Sequence, residues 1–316
     1  MKRFVLNVLL FFAFIVAIDF FVGLVGDFFV NHSKGGRTKE LNDLVMNDRH
    51  DIIVMGSSRA HHHYDSPYLS DVLNRDVYNA GYNGNGVILA YGILNLILDK
   101  YKPQMIIYDT EPAFDIYEYK ADNKNKRYIS MLKPYYRAPS IGKIIKDISM
   151  EDWHEIHSGM IRYNSNIAPI FIDNIFARPM SPGGYVPLYG ILDYTPTNNK
   201  NQQIDLKKIE YFEKMVQLVV SKGVPMIVMA SPKYGEKDSK ALSPVISICK
   251  RYNVPFLDYY ADSAFMQHKD WFKEVTHLNN KGAREYSKRI AGEINSYLMK
   301  TEHKKNIYSY DKFNQN

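Results

Sequence analysis

Three short segments hold residue types that can make and break an acyl bond: Gly56-Ser57-Ser58-Arg59, Asn79 to Gly84, and Glu274-Val275-Thr276-His277-Leu278-Asn279. A serine hydroxyl is a weak nucleophile at neutral pH unless an imidazole takes its proton. The imidazole in turn needs a third group to orient it and to favour its charged form. Ser58, His277 and Glu274 supply those three parts as nucleophile, general base and orienting acid. The oxyanion that develops during attack needs N–H donors already in place. A serine in a strand-to-helix turn offers its own N–H, and a glycine in a neighbouring turn lets a second one approach, so Ser58 and a glycine of the Asn79–Gly84 turn are the candidate donors. Arg59 and Asn83 are candidate substrate contacts, Arg59 for an anionic or carbonyl group. Each residue also has a plainer role open to it. Ser58 suits a helix cap, His277 a surface position beside a helix start, Glu274 a solvated acid, Gly84 a turn and Arg59 a surface ion pair.

The elements that must position these residues alternate between strand and helix. Asp51 to Met55 is a short β-branched run ending in Gly56-Ser57-Ser58, the pattern of a buried strand reaching a tight turn. Ser66 is placed to cap a helix, with Pro67 at its first position and Leu69, Val72 and Leu73 on its apolar face. Val77-Tyr78 reads as a second strand closed by the glycine-rich Asn79 to Gly86, and Val87 to Leu98 as a buried helix. Met105 to Tyr108 is a third strand. Residues 113–204, rich in tyrosine and proline and without a clean period, read as an insertion or lid. Periodicity returns at Leu206, Ile209, Phe212, Val216 and Val219, with Asp205 as cap and Gly223 as stop. Val224 to Ala230 and Val254 to Leu257 are two further strands, and a last helix runs from about Asn280 to Leu298, followed by a polar tail over 300–316. This alternation predicts an α/β three-layer sandwich with a mainly parallel, flavodoxin-like sheet, whose functional residues gather at the carboxyl ends of the strands.

The chain has 316 residues, with 46% hydrophobic and 23% charged, which excludes wholesale disorder, collagen and coiled coil. The single cysteine, Cys249, can form neither an intramolecular disulfide nor a zinc cluster. A formal charge of +6 is a mild excess, and with no basic stripe or nucleic-acid motif it gives no nucleic-acid partner. His61-His62-His63 invites a metal reading, helped by Asp65, His154 and His157. Three consecutive histidines cannot all face one ion from a regular element, and His154-Glu155-Ile156-His157 is one residue short of the His-Glu-x-x-His spacing. The expectation is therefore no metal and no cofactor, with the histidines flanking the serine turn.

Met1-Lys2-Arg3 precedes an apolar stretch from Phe4 to Val30, interrupted only by Asp19 and Asp27. That exceeds the roughly 20 residues needed to cross a bilayer and is too long for a cleavable signal, with no convincing small-residue cleavage site. It reads as a single-pass signal anchor over residues 1–31, followed by a linker over 32–50. The positive residues before it place everything after it on the extracytoplasmic side, periplasmic or at the cell surface. Asp19 either pairs with a partner helix or marks the edge of the span.

The three chemical segments, taken in order, resemble those of the SGNH or GDSL-like hydrolases. The resemblance covers about 51–112 and 204–298 of the globular part, read as one domain over 51–299. It implies that Ser58 is the nucleophile of the first block, that Gly84 of the second block contributes to the oxyanion hole, and that Glu274 and His277 complete a triad. It further implies an esterase or O-acyltransferase acting on ester-linked acyl groups, acetyl above all, of a cell-envelope glycan or lipid. Three departures accompany it. Ser57 replaces the usual acid of the first block, Glu274 replaces an aspartate, and Tyr108-Asp109-Thr110-Glu111-Pro112 stands where an oxyanion-hole Asn is usual. A carboxylate facing an oxyanion would repel it, so Asp109 and Glu111 are expected to point elsewhere. The missing Asn keeps an alternative open, a catalytically silent scaffold or partner of a membrane acyltransferase.

Overall fold

The computed structural model describes residues 1–118, 125–164, 167–177, 179–193 and 202–313. Parts of the expected insertion (119–124 and 194–201) and the end of the expected tail (314–316) lie outside the described residues. The strands are β1 (Ile52–Gly56), β2 (Val77–Asn79), β3 (Met105–Asp109), β4 (Met226–Ala230) and β5 (Phe256–Asp258). The helices relevant to function are α1 (Lys2–Asn31), α2 (Ser58–His63), α3 (Ser66–Leu73), α4 (Val87–Leu98), α5 (Pro139–Ile148), α6 (Met150–Glu155), α7 (Gly159–Tyr163), α8 (Ile167–Phe176), α9 (Leu206–Ser221), α10 (Ser243–Arg251) and α11 (Asn280–Phe313). The chain divides into two compact units, one of residues 1–48, 92–99 and 121–180, the other of residues 49–91, 100–120 and 181–316.

In the second unit all five strands run parallel in the order β2-β1-β3-β4-β5, the doubly wound flavodoxin order. Parallel strands covered on both faces favour apolar residues on both, which is why Ile52–Met55 of β1, Met105–Tyr108 of β3 and Met226–Ala230 of β4 read as apolar runs rather than alternations. Ile52, Val54, Met105, Ile107, Ile227 and Met229 face one layer, where they pack with Leu69 and Leu73 of α3 and with Tyr286, Ile290 and Ile294 of α11. The alternate residues face the other layer, where the Tyr108 ring meets Phe212 of α9. β4 and β5 each start just after a proline, Pro225 and Pro255, which has no N–H to give a ladder.

Two local readings change. A short helix, α2, follows β1 at once, and the cap of α3 is Asp65, whose carboxylate accepts from the Tyr68 N–H at 3.1 Å. Ser66 is drawn away from that role because its hydroxyl donates to the Gly183 carbonyl at 2.7 Å. The last helix, α11, passes Leu298 and continues to Phe313, since no glycine or proline follows Leu298 to stop it.

In the first unit α1 is one helix, 30 residues long and apolar enough to cross a membrane. Its large side chains from Phe4 to Ile18 are exposed, whereas Gly23, Gly26 and Val30 are buried on one face. Asp19 sits on that same face and accepts from the Ser158 hydroxyl at 2.6 Å and from the Met160 N–H at 2.9 Å, at the start of α7. A Cβ at Gly26 would run into the Tyr163 ring, so only glycine lets α1 and α7 lie this close. The awkward carboxylate is thus a helix-terminus acceptor within its own unit.

Candidate active site

The parallel pairing sets Gly56 beside Asp109, and the Asp109 carbonyl occupies the place a side chain at Gly56 would need. With φ at +145° as well, only glycine makes this turn out of β1. Ser57 is the cap of α2: its hydroxyl accepts from the Arg59 N–H at 3.3 Å and donates to the Glu111 carboxylate. The capping role open to Ser58 is therefore filled by its neighbour. Ser58, 8% exposed, directs its hydroxyl at His277, with Oγ 2.7 Å from Nε2.

His277 comes from a tight turn closed by its own N–H on the Glu274 carbonyl at 3.2 Å and by the Lys273 N–H on the His277 carbonyl at 2.9 Å. The turn brings the Glu274 carboxylate onto Nδ1 of the same imidazole. That contact fixes the tautomer, with Nδ1–H donating to the carboxylate and the Nε2 lone pair facing the serine O–H, the arrangement a general base requires. Serine and histidine are 219 positions apart in the chain and meet at the carboxyl edge of the sheet. The Glu274 side chain is 56% exposed, so water competes for its carboxylate.

The second segment is stitched to the first. Asn79, at the end of β2, donates to the carbonyls of Ala60 and Tyr64 at 2.7 and 3.0 Å and accepts from the Gly81 N–H at 3.0 Å. A Cβ at Gly81 would collide with the His61 backbone, so the glycine lets this turn lie directly on α2. Asn83, an exposed residue, meets His61 Nδ1 through its Oδ1 at 2.8 Å, and Gly84 comes next with φ at +70° in the same turn.

Arg59 requires a correction. Expected at the substrate, it is fully buried, and its Nε and Nη2 donate to the Ser231 hydroxyl at 3.2 and 3.0 Å. On a helix its side chain points about 100° away from that of Ser58, which sends it under the site rather than into it. The Ser231 hydroxyl donates onward to Asp109 at 3.0 Å, while the Ser231 N–H and the Tyr64 hydroxyl each reach the same carboxylate at 2.8 Å. Asp109 and Glu111 thus face inward partners. Burial raises the pKa of Asp109, opposed by the Arg59 guanidinium and these donors.

His63 links this buried network to the turn that carries His277. Its Nδ1 donates to the Ser231 hydroxyl at 2.8 Å, and its Nε2 accepts the Leu278 N–H at 2.9 Å, next to His277. An imidazole accepting at one nitrogen must be neutral. Burial holds the His63 pKa well below the usual range, assisted by Arg59, His277 and His62. Its folded pKa lies below the unfolded value of about 6.5, so its contribution is complete above that pH and lost as pH falls. The melting temperature should therefore drop as pH falls below about 6.5. His63→Gln, whose amide oxygen can still accept from Leu278, should flatten that part of the profile; an unchanged slope would show that His63 does not titrate in unfolding.

Ser231 and Tyr64 escape a reading by motif, Ser231 being marked only by its place at a carboxyl strand end, whereas His63 is expected to flank the serine turn without its partners being legible. His62 Nδ1 donates to the Val186 carbonyl at 2.7 Å, and its ring lies edge-on to His277 at 5.5 Å between ring centres. Among the described residues no three His, Cys, Asp or Glu side chains converge as metal ligands would.

No family model matches the chain, and no curated protein sequence matches it. Among solved structures it is similar to the crystal structure of an acetyl xylan esterase, with a TM-score of 0.39 and 9% identity over 77% of this chain and 99% of that one. A likeness of that degree identifies no function, so the chemistry must be read from the residues.

Proposed function

We propose that this chain is a membrane-anchored, extracytoplasmic serine esterase or O-acyltransferase of SGNH type, acting on acyl esters, acetyl above all, of an envelope glycan or lipid. The observation that carries the proposal is the pair of contacts on one imidazole: Ser58 Oγ at 2.7 Å from Nε2, with Glu274 on Nδ1. In this reading Ser58 Oγ attacks the ester carbonyl carbon as its proton passes to His277 Nε2. The N–H groups of Ser58 and Gly84 hold the oxyanion, and Glu274 stabilises the imidazolium. Collapse breaks the C–O bond to the leaving alkoxide, which His277 protonates, leaving an acyl group on Ser58. Water then takes the acyl group in hydrolysis, or a sugar hydroxyl takes it in transfer.

Retention of the anchor is supported by the packing of Asp19, Gly23 and Gly26 of α1 against α7 within the first unit. Lys2 and Arg3 before the span support the extracytoplasmic assignment of residues 32–316. A second reading, a silent scaffold or partner of a membrane acyltransferase, is favoured by the segment Tyr108 to Pro112, which offers no Asn and whose Asp109 is engaged with buried donors. The full chain should hydrolyse 4-nitrophenyl acetate and keep doing so in EDTA. A folded chain inert toward acetyl esters would favour the scaffold, and activity lost to the chelator would contradict the serine mechanism.

A further inference from the structure

The first unit contains a cleft of about 440 Å³ in the segment between the third and fourth strands of the sequence. Tyr136, Arg137, Lys143, Lys146 and Trp153 line it, and no carboxylate is among its lining residues. Gly142 shapes it: the Trp153 ring lies 3.1 Å from where a Cβ would stand, so the indole can approach the α5 backbone closely. Lys126 and Lys133 of this unit are compensated, by Glu151 and Asp152. Among the described residues Lys143 and Lys146 have no ion-pair partner. Two uncompensated cations and an arginine, arranged with an indole and a phenol around a concave space, select for an anion.

Position selects which anion. Arg137 Nη1 reaches Asp27 of α1 at 3.1 Å, which ties the rim of the cleft to the membrane helix. A hydrocarbon core of about 30 Å takes about 20 helical residues at 1.5 Å each, so a span beginning at Phe4 ends near Gly23. Asp27 then lies about 6 Å further on, at the level of lipid headgroups. Trp, Tyr, Arg and Lys are the residues that favour this layer.

We propose that this cleft binds the phosphate group of an anionic membrane lipid, with Lys143, Lys146 and Arg137 as its charge partners and Trp153 and Tyr136 as walls for the rest of the headgroup. The volume falls within the range of small-molecule sites. The proposal requires α1 to remain in the membrane and is independent of whether Ser58 is a nucleophile.

Native mass spectrometry of the detergent-solubilised full chain, equilibrated with dioleoylphosphatidylglycerol or dioleoylphosphatidylcholine, tests it. The wild type should retain phosphatidylglycerol about tenfold more strongly than phosphatidylcholine. K143Q/K146Q should weaken phosphatidylglycerol by about 30-fold, from about fivefold per lysine, and leave phosphatidylcholine unchanged. K143R/K146R should retain most of the binding. Equal retention of the two lipids by the wild type overturns the proposal, as does undiminished phosphatidylglycerol binding by folded K143Q/K146Q. Millimolar inorganic phosphate should compete only weakly; full displacement would assign the cleft to free phosphate and overturn the lipid assignment.

Discussion

Ser58→Ala should lower turnover of 4-nitrophenyl acetate by about 10⁴-fold or more while shifting the melting temperature by no more than a few degrees. The separation of effects comes from the contacts of the hydroxyl. Among the described residues Ser58 Oγ bonds only to His277, and the capping bond that starts α2 belongs to Ser57. Removing one net hydrogen bond costs about 1 kcal/mol of stability, whereas removing the nucleophile removes the covalent route. His277→Ala should cost about as much, and the double variant little more than either alone, because the two groups act as one unit. Glu274→Gln should cost less, about 10²-fold or under, against about 10⁴-fold where the orienting acid is deeply buried. The reason is the 56% exposure of the Glu274 side chain, which lets water take over part of its role. Retained turnover in Ser58→Ala would transfer the activity to another group.

The largest effect on stability should come from Arg59→Met. The guanidinium is fully buried over the Tyr260 ring at 5.2 Å, donates twice to Ser231, and lies 3.9 Å from the buried Asp109 carboxylate. Taking it away leaves that carboxylate without its cation, a loss of about 3–5 kcal/mol for a broken buried pair. The melting temperature should fall on the order of 10 °C. Arg59→Met with Asp109→Asn should recover part of that loss, because the asparagine oxygen can still accept from Tyr64 and Ser231 without burying a charge. Differential scanning calorimetry of Arg59→Met and the double variant decides it; a double variant melting no higher than Arg59→Met would contradict the predicted recovery.

Much of this arrangement was legible in the residue types. Parallel strands buried on two faces favour apolar runs, so the central strands β1, β3 and β4 stood out, as did the turns at their carboxyl ends. Ser58, His277 and Glu274, singled out by their residue types, do meet on one imidazole. Directions of side chains were not legible. Arg59 is the next residue after Ser58, yet helical geometry sends it beneath the turn toward a serine 172 positions away, and no local pattern announces that partner. The choice between Ser57 and Ser58 as the cap was likewise settled by tertiary contacts, Glu111 on one and His277 on the other. Asp19 looked costly within a hydrophobic run because the donors it meets, Ser158 and Met160, lie about 140 residues downstream.

The central claim is an activated hydroxyl at Ser58, and a fluorophosphonate probe reads that property without any assumption about substrate. Peptide mapping of the labelled full chain should find one phosphonylated residue, Ser58, in the wild type and in Glu274→Gln at a reduced rate, with labelling abolished in His277→Ala. A folded wild-type chain that takes no label, or takes it equally in His277→Ala, would contradict the claim.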